Sequence, residues 1–146
     1  MIDSIAVCMA TYNGQMYLAA QIESILGQLG PFDMLIISDD GSTDQTLSIC
    51  AQYGEKVRVV AHDRVGGAVK NFERALAQSQ ADAYVLCDQD DVWLPGRIDM
   101  IRNYLEHADL VVFNGTVVDA QLKSRGQTVF DLVGMKSGFL SNLVKN

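Results

Sequence analysis

Apolar and polar positions alternate in blocks along this chain, and the blocks predict a repeated strand–helix unit. Ile5 to Ala10 is an unbroken apolar run closed by Thr11-Tyr12-Asn13-Gly14. A short run without polar alternation predicts a strand buried on both faces. Leu18, Ile22, Ile25, Leu26 and Leu29 then recur at helical spacing, and Gly30-Pro31 predicts the end of that helix. Met34 to Ile37 reads as a second strand running into Ser38-Asp39-Asp40-Gly41. Ser42-Thr43-Asp44 supplies capping residues for a helix carrying Leu47, Cys50 and Ala51. Val57 to Ala61 predicts a third strand, and Val69, Phe72, Ala75 and Leu76 a third helix. Tyr84 to Leu86 predicts a fourth, buried strand. Pro95 suits the first turn of a helix with Ile98, Ile101 and Leu105. Leu110 to Phe113 predicts a fifth strand. The alternation implies an α/β fold with a mostly parallel sheet flanked by helices. After about Gly115 the rhythm breaks: Val117-Val118 suggests a short strand, Gln121 to Gly126 a turn, and Phe139 to Val144 a short helix.

Composition narrows the class. With 146 residues, 49% apolar and 20% charged, the chain is long and apolar enough for one packed core and is not a disordered tail. The net charge is −7 and no Lys/Arg run occurs, which argues against nucleic acid as a partner. Cys8, Cys50 and Cys87 are far apart, each in an apolar context, and read as buried thiols in a reducing compartment. No basic leader opens the chain and no apolar run approaches the ~18 residues of a membrane span. The expected location is cytoplasmic, compatible with peripheral attachment at the inner face of the cell membrane.

Candidate chemistry concentrates at strand ends. Thr11-Tyr12-Asn13 follows the first strand, Asp39-Asp40 the second, His62-Asp63-Arg64 the third and Asp88-Gln89-Asp90-Asp91 the fourth. In a parallel sheet all four emerge at one edge, where ligands of open α/β sheets bind. Asp88, Asp90 and Asp91 crowd three carboxylates into four positions. Such like charges raise one another's pKa unless a cation offsets them. Oxygen ligands of this kind suit Mg²⁺, Mn²⁺ or Ca²⁺ rather than zinc. Blander readings stand beside these. Thr11 to Gly14 can be a turn feeding a helix, and Ser42, Thr43 and Asp44 read best as caps. Lys70 and Arg74 can be a solvated helix face, and Trp93 a packing anchor.

Four segments together resemble the family 2 glycosyltransferases, nucleotide-diphospho-sugar transferases of GT-A fold. They are Ala10-Thr11-Tyr12-Asn13-Gly14, Ser38-Asp39-Asp40-Gly41-Ser42-Thr43-Asp44, Gly67-Ala68-Val69-Lys70-Asn71-Phe72 and Asp88-Gln89-Asp90-Asp91-Val92-Trp93-Leu94-Pro95. The nearest subgroup is the bacterial rhamnosyltransferases and other surface-polysaccharide enzymes. The resemblance implies a donor site for a dTDP- or UDP-sugar, dTDP-rhamnose included, with Thr11, Tyr12, Asn13, Asp39, Asp40, Lys70 and Asp88 along the nucleotide. It implies a Mg²⁺ or Mn²⁺ ion on Asp90 and Asp91, with Asp88 nearer the ribose or a metal-bound water. It also implies transfer with inversion to a glycan or lipid-linked acceptor.

Members of this family are usually longer. Residues 1–114 therefore correspond to the donor-binding domain and 115–146 to the start of an incomplete acceptor side. The catalytic base is expected beyond residue 146. Asp119 and Asp131 are the late carboxylates and match no base context. Two alternatives carry less weight. Asp88-Gln89-Asp90 resembles the first motif of haloacid-dehalogenase-type phosphatases, but follows the fourth strand instead of the first. A response-regulator receiver domain would use a strand-end acidic pair, but that pair would end its first strand.

Overall fold

The computed structural model describes residues 2–135. Chain contacts divide the protein into two units, Met1–Asp109 and Leu110–Asn146. The first contains β1 (Ile5–Thr11), α1 (Leu18–Leu26), β2 (Met34–Asp39), α2 (Thr46–Ala51), β3 (Val57–Ala61), α3 (Ala68–Ala77), β4 (Ala83–Asp88) and α4 (Arg97–Leu105). The strands form one sheet in the order β3-β2-β1-β4, and every pairing is parallel. Strand–helix alternation thus gives the expected α/β sheet.

The order explains where a crevice opens. Successive units step from β1 to β2 to β3, and the chain then returns to the far side of β1 for β4. Right-handed connections place α1 and α2 on one face and α3 on the other. Between β1 and β4 the winding reverses, and such a switch point leaves a gap beyond the strand ends. β1 is the central strand, and Ile5 through Met9 are wholly buried. On one face Ala6, Cys8 and Ile36 pack against Ala75 of α3, with Val60 and Leu76 at the margin. Leu18, Ile22 and Ile25 of α1 are fully buried too. Each such side chain stabilises the fold by roughly 1.5–3 kcal/mol.

Three local expectations change. α1 ends at Leu26, before Leu29. Gln28 Nε2 donates to the Ser24 carbonyl and satisfies an orphan acceptor of the last turn. β4 is an edge strand, not a doubly buried one: Tyr84 and Leu86 are exposed. An apolar run encodes strand character but not the number of neighbours. Polar strand ends also extend the ladder further than the apolar runs suggest. Thr11 pairs with Asp39 and Ala10 with Asp88, so the polar clusters begin inside the sheet.

The second unit holds β5 (Thr116–Val118) and β6 (Ser124–Thr128), an antiparallel pair, and α5 (Val129–Val133). The Val117-Val118 strand is present, and the turn is tighter than Gln121 to Gly126. Asp119 accepts the N–H groups of Gln121 and Lys123 and fixes it. The expected fifth strand does not form: Leu110 to Phe113 has no regular structure, and Leu110 and Val112 are exposed. An apolar run becomes a strand only where another strand pairs along it, and neither sheet among the described residues includes this one. The helix expected at Phe139 to Val144 lies outside the described residues.

Candidate donor-binding cleft

The loops after β1 and β2 are sewn together by side chain–backbone bonds. Asp39 is wholly buried at the end of β2. Its carboxylate accepts from Thr11 Oγ1 at 2.8 Å, from Ser42 N at 2.7 Å and from Ser42 Oγ. Ser42 Oγ in turn accepts Asn13 N at 2.8 Å, and Asn13 Oδ1 accepts Thr43 N at 2.9 Å. Thr46 Oγ1 accepts Gly14 N, and Asp44 accepts Gln15 N. This overturns the capping role expected of Ser42 and Thr43. The N-cap of α2 is Gln45, with no side-chain cap bond. The residues that looked like caps brace one loop against the other, and only Asp44 also bonds the helix, at Thr46 N. Asn13 adopts φ +47, a left-handed conformation that asparagine tolerates.

Asp40 clasps the loop after β3. Its carboxylate accepts the backbone N–H groups of Val65, Gly66 and Gly67. Those donors, with the nearby Arg64 charge, hold its pKa down to about 2. Three consecutive donors can converge on one carboxylate because Gly66 and Gly67 take φ +85 and +117. Arg74 of α3 joins the ends of β2 and β3. It donates to Ser38 Oγ, to the Asp39 carbonyl, to Asn71 Oδ1 and to both the carbonyl and the carboxylate of Asp63, so every guanidinium N–H is used. Asn71 Nδ2 donates to the Thr11 carbonyl. Arg74 is therefore structural and not a solvated helix face, whereas Lys70 is exposed.

The acidic loop is held from below by a polar stripe on α1. Gln21 Nε2 donates to the Asp88 carbonyl, Ser24 Oγ accepts Trp93 N, and Gln28 Oε1, just past the helix, accepts Arg97 N. Spacings of three and four put these residues on one face. Sequence reading missed them because polar residues beside an apolar stripe look like an ordinary solvated flank. The missed signal is that Gln21 sits inside the stripe of Leu18, Ile22 and Ile25. Trp93 is buried under the loop as an anchor, with the Arg97 guanidinium 5.5 Å from its ring centroid. Partial burial, then the charge of Asp90, pushes the Asp88 carboxyl above its ordinary pKa. Partial burial and the charges of Asp88 and Asp90 push Asp91 up as well, against the pull of Arg97.

These elements enclose a cleft of about 250 Å³ at the switch point. Thr11, Tyr12, Asp40, Asn71, Asp88 and Asp90 all line it. Asp39 lies beneath it, bonded to the Thr11 wall. Asn13, Lys70, Asp91 and His62 are not part of the lining. Among the described residues no three acidic, histidine or cysteine side chains form a ready-made metal cage.

The sequence pattern of glycosyl transferase family 2 matches residues 6–140. The chain belongs to glycosyl transferase family 2. It is 38% identical over 114 residues to the dTDP-rhamnosyl transferase RfbG of Shigella flexneri, covering 73% of this chain and 37% of that one. It is 30% identical over 121 residues to the putative teichuronic acid biosynthesis glycosyltransferase TuaG of Bacillus subtilis, covering 80% and 48%. The chain thus spans less than half the length of these curated relatives.

Solved GT-A glycosyltransferases share the architecture. Staphylococcus aureus TarS 1-349 in complex with UDP-GlcNAc superposes with a TM-score of 0.64 at 26% identity, covering 70% of this chain and 31% of that one. Glucosyl-3-phosphoglycerate synthase of Mycobacterium tuberculosis, in complex with Mn²⁺, UDP and glucosyl-3-phosphoglycerate, gives a TM-score of 0.60 at 25% identity, covering 73% and 40%. The fold of this family 2 chain is GT-A. The phosphatase and receiver readings of its acidic loop fall with that assignment. No helix among the described residues is long and apolar enough to cross a membrane.

Proposed function

We propose that this chain supplies the donor side of a metal-dependent glycosyltransferase, holding a dTDP- or UDP-sugar and a Mg²⁺ or Mn²⁺ ion in the cleft between β1 and β4. One observation carries the reading. Asp88 and Asp90 line the cleft together, and partial burial and then the charge of Asp90 push Asp88 toward protonation. The residues fit the ion. Mg²⁺ typically takes one or two carboxylates and completes its shell with water and substrate phosphates, so a two-carboxylate site without a full protein cage is the expected form. Asp90 and Asp88 would hold it, with Asp91 as the flanking acid. When bound, the ion offsets negative charge developing on the diphosphate leaving group.

The protein's own groups do the rest. Thr11 and Tyr12 form the nucleotide wall, with Asn13, Asp39 and Asp40 fixing its shape, and the exposed Lys70 of α3 supplies a positive charge toward the donor. Residues 1–114 form the donor-binding region and 115–146 begin the acceptor side. The likeness to a dTDP-rhamnosyl transferase makes dTDP-rhamnose the first donor to test. Inverting transfer to a glycan or lipid-linked acceptor, at the inner face of the membrane, follows from the family resemblance. The base is proposed to lie beyond residue 146. Asp119 is engaged in its turn, and Asp131 in a capping box with Thr128 that lowers its pKa.

A thermal-shift panel of nucleoside diphosphates with and without Mn²⁺ tests this. dTDP or UDP at a hundred times its Kd stabilises by about 2.7 kcal/mol, a shift of several degrees, only when Mn²⁺ is present. No shift with any nucleotide refutes the proposal.

A further inference from the structure

The cleft opens where the β1–β4 ladder stops. Ala10 is the last residue of β1 paired with β4, opposite Asp88. Backbone pairing would next bring Thr11 and Tyr12 against Gln89, but the two chains part there to form the crevice. The Gln89 side chain spans the gap. Its Oε1 accepts Tyr12 N at 2.9 Å and its Nε2 donates to the Tyr12 carbonyl at 3.0 Å. A single carboxamide thus gives Tyr12 the donor and acceptor that a neighbouring strand would have supplied. Gln89 sits between Asp88 and Asp90, so the same residue couples the wall carrying Tyr12 to the loop carrying the acidic pair. Gly14 makes room for it. A Cβ at Gly14 would stand 2.3 Å from Gln89 Oε1 and 2.7 Å from its Cδ.

We infer that Gln89 is a positioning residue for the donor site: its side-chain amide clamps the Tyr12 backbone and sets the width of the cleft between the Tyr12 wall and Asp88–Asp90. This deepens the donor-binding reading and rests on it. Neither residue carries a charge, and although Gln89 lines the cleft, both polar atoms of its carboxamide are engaged by the Tyr12 backbone. Both act through the distance they hold. Gly14 carries no positive φ, so its replacement by alanine strains no backbone and acts on the flexible Gln89 side chain.

The test is a double-mutant cycle on Mn²⁺-dependent dTDP and UDP binding, with Gln89→Ala, Gly14→Ala and the pair. Each single change is expected to raise Kd about tenfold while the melting temperature stays within a few degrees. In the Gln89→Ala background, Gly14→Ala should add almost nothing, because the group it displaces is already gone. Unchanged Kd in Gln89→Ala, or two losses that multiply, would overturn the inference. Hydrogen exchange at the Tyr12 amide reads the clamp without nucleotide. Protection present in the wild type and lost in either variant supports it, and equal protection in all three overturns it. If the wild type binds no nucleotide, the donor-site reading fails and the role of Gln89 in it fails too, while the exchange result still shows whether the clamp exists.

Discussion

Two acidic pairs flank the cleft, and they sit in opposite electrostatic states. After β2, each carboxylate oxygen of Asp39 and Asp40 accepts at least one N–H or O–H. After β4, Asp88 is pushed up by partial burial and then by the charge of Asp90, and Asp91 by partial burial and then by the charges of Asp88 and Asp90. Both loops read as strand-end Asp-rich segments. The difference lies in which groups reach them: Thr11, Ser42 and the 65–67 backbone for the first, only the moderating charge of Arg97 for the second. A carboxylate provided with donors builds the walls of the site. A carboxylate left without them is available to a cation.

Removing Asp39 tests the wall side most severely. Asp39→Ala strips the Thr11 hydroxyl and both Ser42 donors of a buried acceptor. Unpaired donors of charge-assisted bonds cost about 1–3 kcal/mol each, so unfolding free energy in urea should fall by roughly 3 kcal/mol or more. The corresponding change on the other side, Asp88→Asn, should leave stability unchanged or raised in the absence of metal. Equal losses from the two variants would erase the distinction between the pairs.

Asp90→Asn sharpens the comparison from the ligand side. Asp90 lines the cleft and is exposed. Stability should therefore stay within about 0.5 kcal/mol, as for other exposed substitutions. Mn²⁺-dependent nucleotide affinity should drop at least tenfold, which is about 1.4 kcal/mol. Titration calorimetry with and without Mn²⁺ measures both. An Asp90→Asn protein that binds with wild-type affinity would remove this residue from the metal site.

Much of this contrast was legible before any coordinates, and the illegible part has a physical cause. The apolar runs at Ile5–Ala10 and Met34–Ile37 located two strands because burial leaves a compositional mark, and Val57–Ala61 located the edge strand β3 through its valines although only Val57 is buried. The convergence of their polar ends followed from parallel pairing alone. What stayed hidden was pairing between side chains and distant backbone. Ser42 carries the local signature of a helix cap, yet its partners are Asp39 and Asn13, the latter 29 positions away. Gln21, Ser24 and Gln28 bond a segment 67 to 69 positions on. Arg74 looked solvated because nothing in its neighbourhood announces five acceptors. Leu110 to Phe113 failed for the converse reason: apolar character was present, but neither sheet among the described residues takes the segment in.

The smallest expected effect is also the one that reads both pairs in a single experiment. Asp40 is held below its ordinary pKa of 3.8, at about 2, chiefly by the Val65, Gly67 and Gly66 N–H groups. The folded state therefore prefers its charged form, and the stability it contributes is present above 3.8 and lost as pH falls toward 2. Asp88 and Asp91 are held above 3.8, so the folded state prefers their protonated forms. Their contribution is present below 3.8 and is lost as pH rises through the raised values. Subtracting the stability of Asp40→Asn from that of the wild type should give a difference that shrinks on acidification between 3.8 and about 2. The same subtraction for Asp88→Asn should give one of opposite slope, on the alkaline side of 3.8. Saturating Mn²⁺ and dTDP should abolish the second slope and spare the first, because a bound cation favours the carboxylate form of Asp88 and leaves the Asp40 donors untouched. Two slopes of the same sign, or a second slope that survives Mn²⁺ and dTDP, would mean that the acidic loop after β4 is as fully satisfied as the one after β2.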